Sequence, residues 1–429
     1  MQFVAAASAA GGPRGLSHSA SVRIIVASKI RKHGCAGRGA RGVPGPRALP
    51  PAASVALKVL HCIYDDPANP WVAGGGAVRV LELYRHLQGR VDATVATGNY
   101  PGARSETIDG VRYLRLGAPK PYAWSRLTYS AAANRLLRTA EYDAAVFDFS
   151  TYTPLFVPTN RPVGITVHHV TGPTADERWG HVLGSGIRRM ERAMIGRASR
   201  LSATSTATYE LLQGLKGPGV DIDMVYAGVP DELFELPHRE QDYVLYFGRI
   251  DVVHKGLDTL LEAFAAIAKE RPGLELRMAG RGKDAERVRT MARELGIDGS
   301  VKMLGAVSED ERRALFTGAR VQLMPSRFEG FGMVAAESMA AGVPLIATAA
   351  GSLPEVVGDG GVLVPTGDAD ALADALRRLL DDPAERARLS DAARASAERF
   401  RWNTVADAHL GFLQRIANGA RAPHPALPR

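Results

Sequence analysis

The chain has 429 residues, 46% of them hydrophobic, enough for two or three domains at roughly 150 residues each. Its net charge of +8 is local: residues 1–57 carry eight Lys or Arg and no acid, and the remainder holds 45 basic and 45 acidic residues, which argues against a nucleic-acid-binding body. Two cysteines, Cys35 and Cys62, exclude a disulfide scaffold, and no apolar run reaches the ~18 residues of a membrane-spanning helix.

Residues 1–57, rich in Gly, Ala, Pro and Ser, read as a disordered basic extension. The Arg-rich, acid-free composition resembles a transit peptide, and a start codon placed too far upstream would look the same. The apolar stretch VRIIVAS is short, flanked by charge and without a convincing cleavage site, so a cytoplasmic location is expected.

From Lys58 onward short apolar runs alternate with longer amphipathic ones. KVLHCI (58–63), DATVAT (92–97), VRYLRL (111–116), DAAVFDF (143–149) and VGITVHH (163–169) predict strands. Helical spacing appears over 76–87, roughly 177–198, and TATYELLQGL. A second series opens at YVLYFG (243–248), with strands at 274–280, 301–304, 321–325, 343–348 and 361–365 and helices between. Ser308 and Glu311 form a capping-box pattern. Strands separated by helices imply parallel sheets, so the expected fold is α/β with two doubly wound domains facing across a cleft. The expected limits are 58–235 for the first domain, 236–400 for the second, 401–418 for a helix returning to the first, and 419–429 for a disordered tail.

Open α/β sheets bind ligands beyond the carboxyl ends of their strands. After strand VQLMP comes SRFEGFGMVAAESMAAG (326–342), with Glu329 in a glycine loop and Glu337 in the helix it opens. That helix is expected from Gly332 or Met333 to Gly342, with its free N–H groups facing an oxygen-rich ligand. The spacing alone also fits a capped helix with two solvated glutamates. FGRIDVVHKG (247–256) places Arg249 and Lys255 near a helix start, suited to a diphosphate, although two surface cations would look alike. AGGGAV (73–78) occupies the position of a phosphate-approach turn in the first domain.

In this order, the three loops resemble the family-four retaining glycosyltransferases of the GT-B fold. EGFGMVAAESMAAGVPLIATAAGSLPEVV resembles that family's E-x7-E block with its trailing Gly-x-x-Pro-Glu. The resemblance implies that Glu329 contacts the donor sugar and Glu337 the nucleotide ribose. It implies that Arg249 and Lys255 clamp the diphosphate and that backbone amides from Gly330, Phe331, Gly332, Met333 and Val334 hold sugar and phosphate. Gly75 would approach the phosphate and Val307 of GAVSED (305–310) would touch the base. In VGITVHHVTG the resemblance points to His168, near the transferred sugar. It departs from the family at His169, often acidic there, and at GVP (228–230), usually Asn-Gly-Val.

The implied activity is hexosyl transfer from a nucleotide-diphosphate sugar to an acceptor hydroxyl on a glycan, lipid-linked or small molecule, with retention of configuration. The cations would stabilise the leaving group, so no metal and no further cofactor is expected. Asp65–Asp66 lacks metal-ligand spacing and is read as a solvated loop. Segments 64–73 and 98–125 should line the acceptor side, where Trp71 and Trp124 could stack on a sugar or lipid, although burial is the commoner fate of Trp. SGIRRMERAMIGR (185–197) puts Ile187, Met190 and Met194 at helical spacing beside arginines; a solvated face is favoured over peripheral membrane docking. A sugar-nucleotide epimerase or hydrolase on the same fold is the alternative.

Overall fold

The structure is a computed structural model describing residues 56–72, 75–150, 158, 160–168, 170, 175–217 and 220–419, with the backbone alone for 175–179. Most of the 1–57 extension, Ala73 and Gly74 of the glycine loop, His169, and the tail from 420 lie outside the described residues.

The first series of apolar runs becomes β1 (Leu57–Cys62), β2 (Val91–Gly98), β3 (Glu106–Ile108), β4 (Val111–Leu116), β5 (Ala144–Asp148), β6 (Val163–Val167), β7 (Leu201–Ala203) and β8 (Ile222–Met224). Between them run α1 (Gly75–His86), α2 (Tyr122–Thr139), α3 (Ala175–Arg197) and α4 (Thr206–Lys216). Among the described residues these strands form one sheet in the order β3-β4-β2-β1-β5-β6-β7-β8. Strands β5 and β6 are buried at every position, as parallel strands covered on both faces must be.

A short α5 (Asp231–Phe234) leads to the second lobe. Its strands are β9 (Tyr243–Phe247), β10 (Glu275–Ala279), β11 (Val301–Gly305), β12 (Val321–Met324), β13 (Leu345–Thr348) and β14 (Gly361–Val364). The helices are α6 (Val252–Lys255), α7 (Leu257–Glu270), α8 (Ala285–Glu294), α9 (Glu309–Gly318), α10 (Met333–Ala340), α11 (Leu353–Val357), α12 (Ala369–Asp381) and α13 (Pro383–Ala397). The sheet order is β11-β10-β9-β12-β13-β14, with every pairing parallel.

Both sheets reverse direction once. β1 lies between β2 and β5, and β9 lies between β10 and β12. The crevices beyond β1/β5 and β9/β12 are therefore where ligands are expected.

The chain ends by crossing back. α14 (Trp402–Asn418) packs on α1, β5 and β6 of the first lobe. Its Trp402, Val405, Phe412, Leu413 and Ile416 share a core with Val59, Leu83, Val95 and Tyr113. Gly164 in β6 makes room: a Cβ there would lie 2.5 Å from Ile416 Cδ1. The lobes also meet where Thr206 N, at the start of α4, donates to the Glu355 carboxylate at 2.5 Å.

Several readings change. The 98–125 segment is not only a loop: it holds the antiparallel edge strand β3 paired with β4, and ends in the first turn of α2. α3 is broken at Gly180, where φ is +76°. The apolar row of 185–197 turns inward: Met194 and Ile195 are buried and Met190 packs on the first-lobe core, leaving exposed Arg189 and Arg192. Ile187, the first residue of that row, stays partly exposed. Among the described residues no helix is long and apolar enough to cross one.

Candidate active site

The second-lobe crevice collects the loops after β9 and β12. After β9 the chain turns through Arg249 into α6, whose Asp251 caps it by accepting from His254 N at 3.1 Å. α6 ends at Lys255 and Gly256, one residue before α7. Gly256 takes φ +62°, and a Cβ there would sit 2.1 Å from the Pro325 carbonyl oxygen. Only glycine lets the two loops approach this closely.

Arg327 fastens them together. Its backbone N–H donates to His254 O at 2.9 Å, and its guanidinium bonds Asp258, Thr259 and the Val253 carbonyl. The result is a contact between Lys255 Nζ and Glu329 Oε2 at 2.5 Å, with Ser326 Oγ donating to the same oxygen at 3.3 Å. Tyr246 marks Arg249 as a neighbour: its hydroxyl donates to Arg249 O at 2.7 Å. Burial raises the Tyr246 phenol's pKa, the Glu329 charge adds to this, and Arg249 opposes it.

α10 begins where expected, at Met333, with Gly332 at φ +86° before it. Glu337, on its second turn, is buried and bonded through Oε1 to Arg312 Nη1 of α9 at 2.9 Å. Burial raises the Glu337 pKa and Arg312 pulls it back. Arg312 follows the expected capping box, in which Ser308 N–H donates to Glu311 at 2.7 Å and Glu311 N–H to Ser308 Oγ at 3.3 Å. Val307 is partly buried and packs on the second-lobe core, as does Met333. Phe331 is a core side chain between Tyr226 and Phe400, so only its backbone can face a ligand.

The first lobe meets this rim at two points. A Cβ on Gly75 would lie 3.0 Å from Met333 Sδ, and one on Gly330 would lie 3.8 Å from the His168 carbonyl oxygen. His168 directly follows β6, with its side chain a quarter exposed and Nε2 2.8 Å from Asp148 Oδ2. The structure thus gathers Glu329, Lys255, Gly75, Gly330, Met333 and His168 along one seam, with the Arg249 backbone bonded to Tyr246 in the loop after β9, Glu337 buried on α10 and Val307 packed on the second-lobe core.

Sequence reasoning missed the polar floor of the first-lobe crevice. Asp148 ends β5 and is 4% exposed; its Oδ1 is 3.0 Å from His61 Nε2. Burial opposes its charge, but His61 and His168 hold its pKa well below the usual carboxylate range. The aspartate pair after β1 is not a solvated loop. Asp66 is wholly buried, bonded to Arg115 Nε at 3.0 Å and Thr97 Oγ1 at 2.8 Å. Asp65 is half-buried and its carboxyl is pushed up to about 6, by burial first, with Asp148 adding and Arg126 and His168 opposing. The signal for Asp148 was present: one acid at the end of an otherwise apolar strand. The tryptophans are also displaced from expectation. Trp71 is 37% exposed and Trp124 55% exposed, and Trp71 meets the Tyr122 ring edge-on at 5.6 Å. Among the described residues no cluster of three or more His, Cys, Asp or Glu is arranged to hold a metal ion.

Two doubly wound lobes whose switch-point loops meet across a seam define a GT-B protein. Solved structures agree on the fold. Sucrose-phosphate synthase from Thermosynechococcus elongatus superposes with a TM-score of 0.72 at 24% identity, over 85% of this chain and all of that one. Anabaena HepE in complex with UDP and glucose gives 0.65 at 20% identity, over 83% and 99%. Residues 230–396 match the model for glycosyl transferases group 1, and residues 74–228 match the glycosyl transferase 4-like domain. The chain belongs to this glycosyltransferase family. It is 36% identical over 211 residues to the MMP alpha-(1->4)-mannosyltransferase of Mycolicibacterium hassiacum, covering 48% of this chain and 51% of that one. It is 29% identical over 273 residues to the glycogen synthase of Mycobacterium tuberculosis, covering 62% and 66%. The chain therefore spans about half to two thirds of the length of these curated relatives. They lend no support to an epimerase or hydrolase.

Proposed function

We propose that the protein transfers a hexosyl group from a nucleotide-diphosphate sugar to an acceptor hydroxyl, with retention of configuration. The observation that carries this reading is the Lys255–Glu329 contact at the second-lobe switch point, opposite His168 and Gly75. A cation and a carboxylate neutralise each other there until a ligand separates their tasks. The diphosphate takes Lys255 and Arg249, and the sugar hydroxyls donate to Glu329. In this reading Glu337, paired with Arg312, serves the ribose, and the loop before Ser308, with Val307, serves the base.

In the transfer, the bond from the anomeric carbon to the diphosphate oxygen breaks and a bond to the acceptor oxygen forms on the same face. The acceptor's hydroxyl proton passes to the leaving phosphate. Arg249, Lys255 and the amides at the start of α10 stabilise the negative charge that develops, so the reading assigns no metal to the step. The donor class is supported by the Anabaena structure, which holds UDP and glucose, and by relatives named as a mannosyltransferase and a glycogen synthase. On the first-lobe side, the exposed edges of Trp71 and Tyr122 suit the ring of a glycan or lipid-linked acceptor. The reading includes a cytoplasmic location.

The test is a calorimetric screen of UDP-, GDP- and ADP-sugars, followed by mass spectrometry for a transferred hexose. Glu329→Ala should abolish transfer while free nucleotide still binds, and Glu337→Ala should weaken nucleotide binding itself. Equal, small effects of both substitutions, or donor turnover that never needs an acceptor, would sink the proposal.

A further inference from the structure

Behind His168 lies a chain of buried polar groups that the transfer step does not use. Asp148 receives two imidazoles, His168 Nε2 at 2.8 Å and His61 Nε2 at 3.0 Å. His61 is wholly buried on β1, and its Nδ1 is 2.8 Å from the Tyr84 hydroxyl of α1. That hydroxyl is 3.4 Å from Nε2 of His409, wholly buried on α14. The row runs from the seam to the returning helix.

Hydrogen-bond bookkeeping gives the row a direction. An ionised carboxylate only accepts, so both imidazoles must present Nε2–H to Asp148. A neutral His61 then has its lone pair on Nδ1 and accepts from Tyr84 O–H. The Tyr84 oxygen in turn accepts from Nε2–H of His409. Burial holds His409 neutral, its pKa well below the ordinary value, with the Arg79 charge acting in the same direction. Its Nδ1 is then a bare lone pair, and that nitrogen is buried without a partner. With His61 neutral this orientation satisfies every link, and at the seam end Asp148, as an acceptor, calls for the proton on Nε2 of His168.

We propose that Asp148, backed by His61, is a positioning residue that holds His168 as its Nε2–H tautomer, so that Nδ1 is a hydrogen-bond acceptor for a hydroxyl in the cleft. The hydroxyl rests on the transferase reading; the tautomer does not. A carboxylate that orients a histidine while staying charged is a recurring device in enzymes, and reversing the tautomer in such pairs lowers turnover by as much as ~10⁴-fold. Asp148 meets the geometric requirement twice over, since its second oxygen is anchored by a histidine that cannot leave the core.

The experiment uses the full chain labelled with 15N-histidine, the His168 signals being assigned by their loss in His168→Gln. At neutral pH the ring nitrogens should report Nε2–H with an unprotonated Nδ1. In Asp148→Asn the carboxamide can donate to Nε2, and the signals should exchange to Nδ1–H. Turnover with the donor found in the screen should fall about 10²- to 10⁴-fold with free-nucleotide affinity unchanged. Adding His168→Ala to Asp148→Asn should cost little more. A wild-type ring in the Nδ1–H or doubly protonated form overturns the proposal, and needs no variant to fold. Additive losses in the double variant, or unchanged turnover in a folded Asp148→Asn protein, overturn it too. Failure to find any sugar donor leaves the spectroscopic result decisive for the tautomer and counts against the transferase reading alone.

Discussion

The first-lobe crevice concentrates charge that folding alone would disfavour, and Asp65 shows the cost. Its carboxyl rises from 3.8 to about 6, burial being the main cause. A raised carboxylate means that the fold prefers the neutral acid. Its favourable contribution is complete below about pH 4, fades between pH 4 and 6, and above that the charged group destabilises the native state. The full shift corresponds to ~3 kcal/mol, which solvent around a half-buried group reduces to about 1–2 kcal/mol. Asp65→Asn should therefore raise stability by about 1–2 kcal/mol at pH 7.5, with the gain vanishing near pH 4, as read by urea unfolding at both values. An equal gain at both pH values would show that packing, not charge, is responsible. If the carboxylate also serves the acceptor, the stabilised variant should be the slower enzyme, the usual exchange between stability and activity at a site.

Loops rather than side chains set the spacing of the second-lobe rim, and glycine sets the loops. Gly351, in the turn before α11, has φ +57°, and a Cβ there would lie 2.1 Å from the Glu329 carbonyl oxygen. Ser352 N–H donates to that same oxygen at 3.3 Å. Gly351→Ala should cost ~1–2 kcal/mol for the left-handed backbone, more for the forced shift of the Glu329 loop, and most of the transfer activity. Gly273→Ala, where φ is +99° but no atom lies within 4 Å, is the control and should pay strain alone. Comparable effects on activity from both would mean that the 351 contact does not position Glu329. This element was legible in sequence because glycines frame it: Gly332 and Gly342 both take positive φ at the ends of α10. α2 was not, since its Ala, Ser and Thr positions give a weak apolar stripe, and three-residue β3 and β8 are too short to show a period. Arg312, Arg327, His61 and Asp148 stayed hidden for another reason. Each is an isolated polar residue whose meaning depends on partners brought near by the fold, in Asp148's case 87 positions away.

The whole molecule is not two beads on a string, because the first lobe lacks part of its own core. Trp402, Val405, Phe412, Leu413 and Ile416 come from beyond the second lobe and are buried against β1, β2, β4 and α1. Gly228 accommodates Trp402, with a Cβ there lying 2.2 Å from its ring, and Val229 N–H donates to Phe400 O at 2.8 Å. Burying a large apolar side chain is worth about 1.5–3 kcal/mol, so these five together contribute on the order of 10 kcal/mol. That equals the entire stability of an ordinary domain, roughly 5–15 kcal/mol. Residues 54–230 expressed alone should therefore not fold cooperatively: near-ultraviolet dichroism should be lost and a hydrophobic dye bound. Joining residues 401–419 to that fragment through a flexible linker should restore a cooperative transition, because the helix supplies the missing face without the second lobe. The same helix carries His409, the far end of the polar row behind His168, so the linked fragment should also recover the His168 tautomer of the full chain. A lone 54–230 fragment that unfolds in one sharp transition would refute the shared core, and with it the idea that the returning helix is part of the first lobe's architecture.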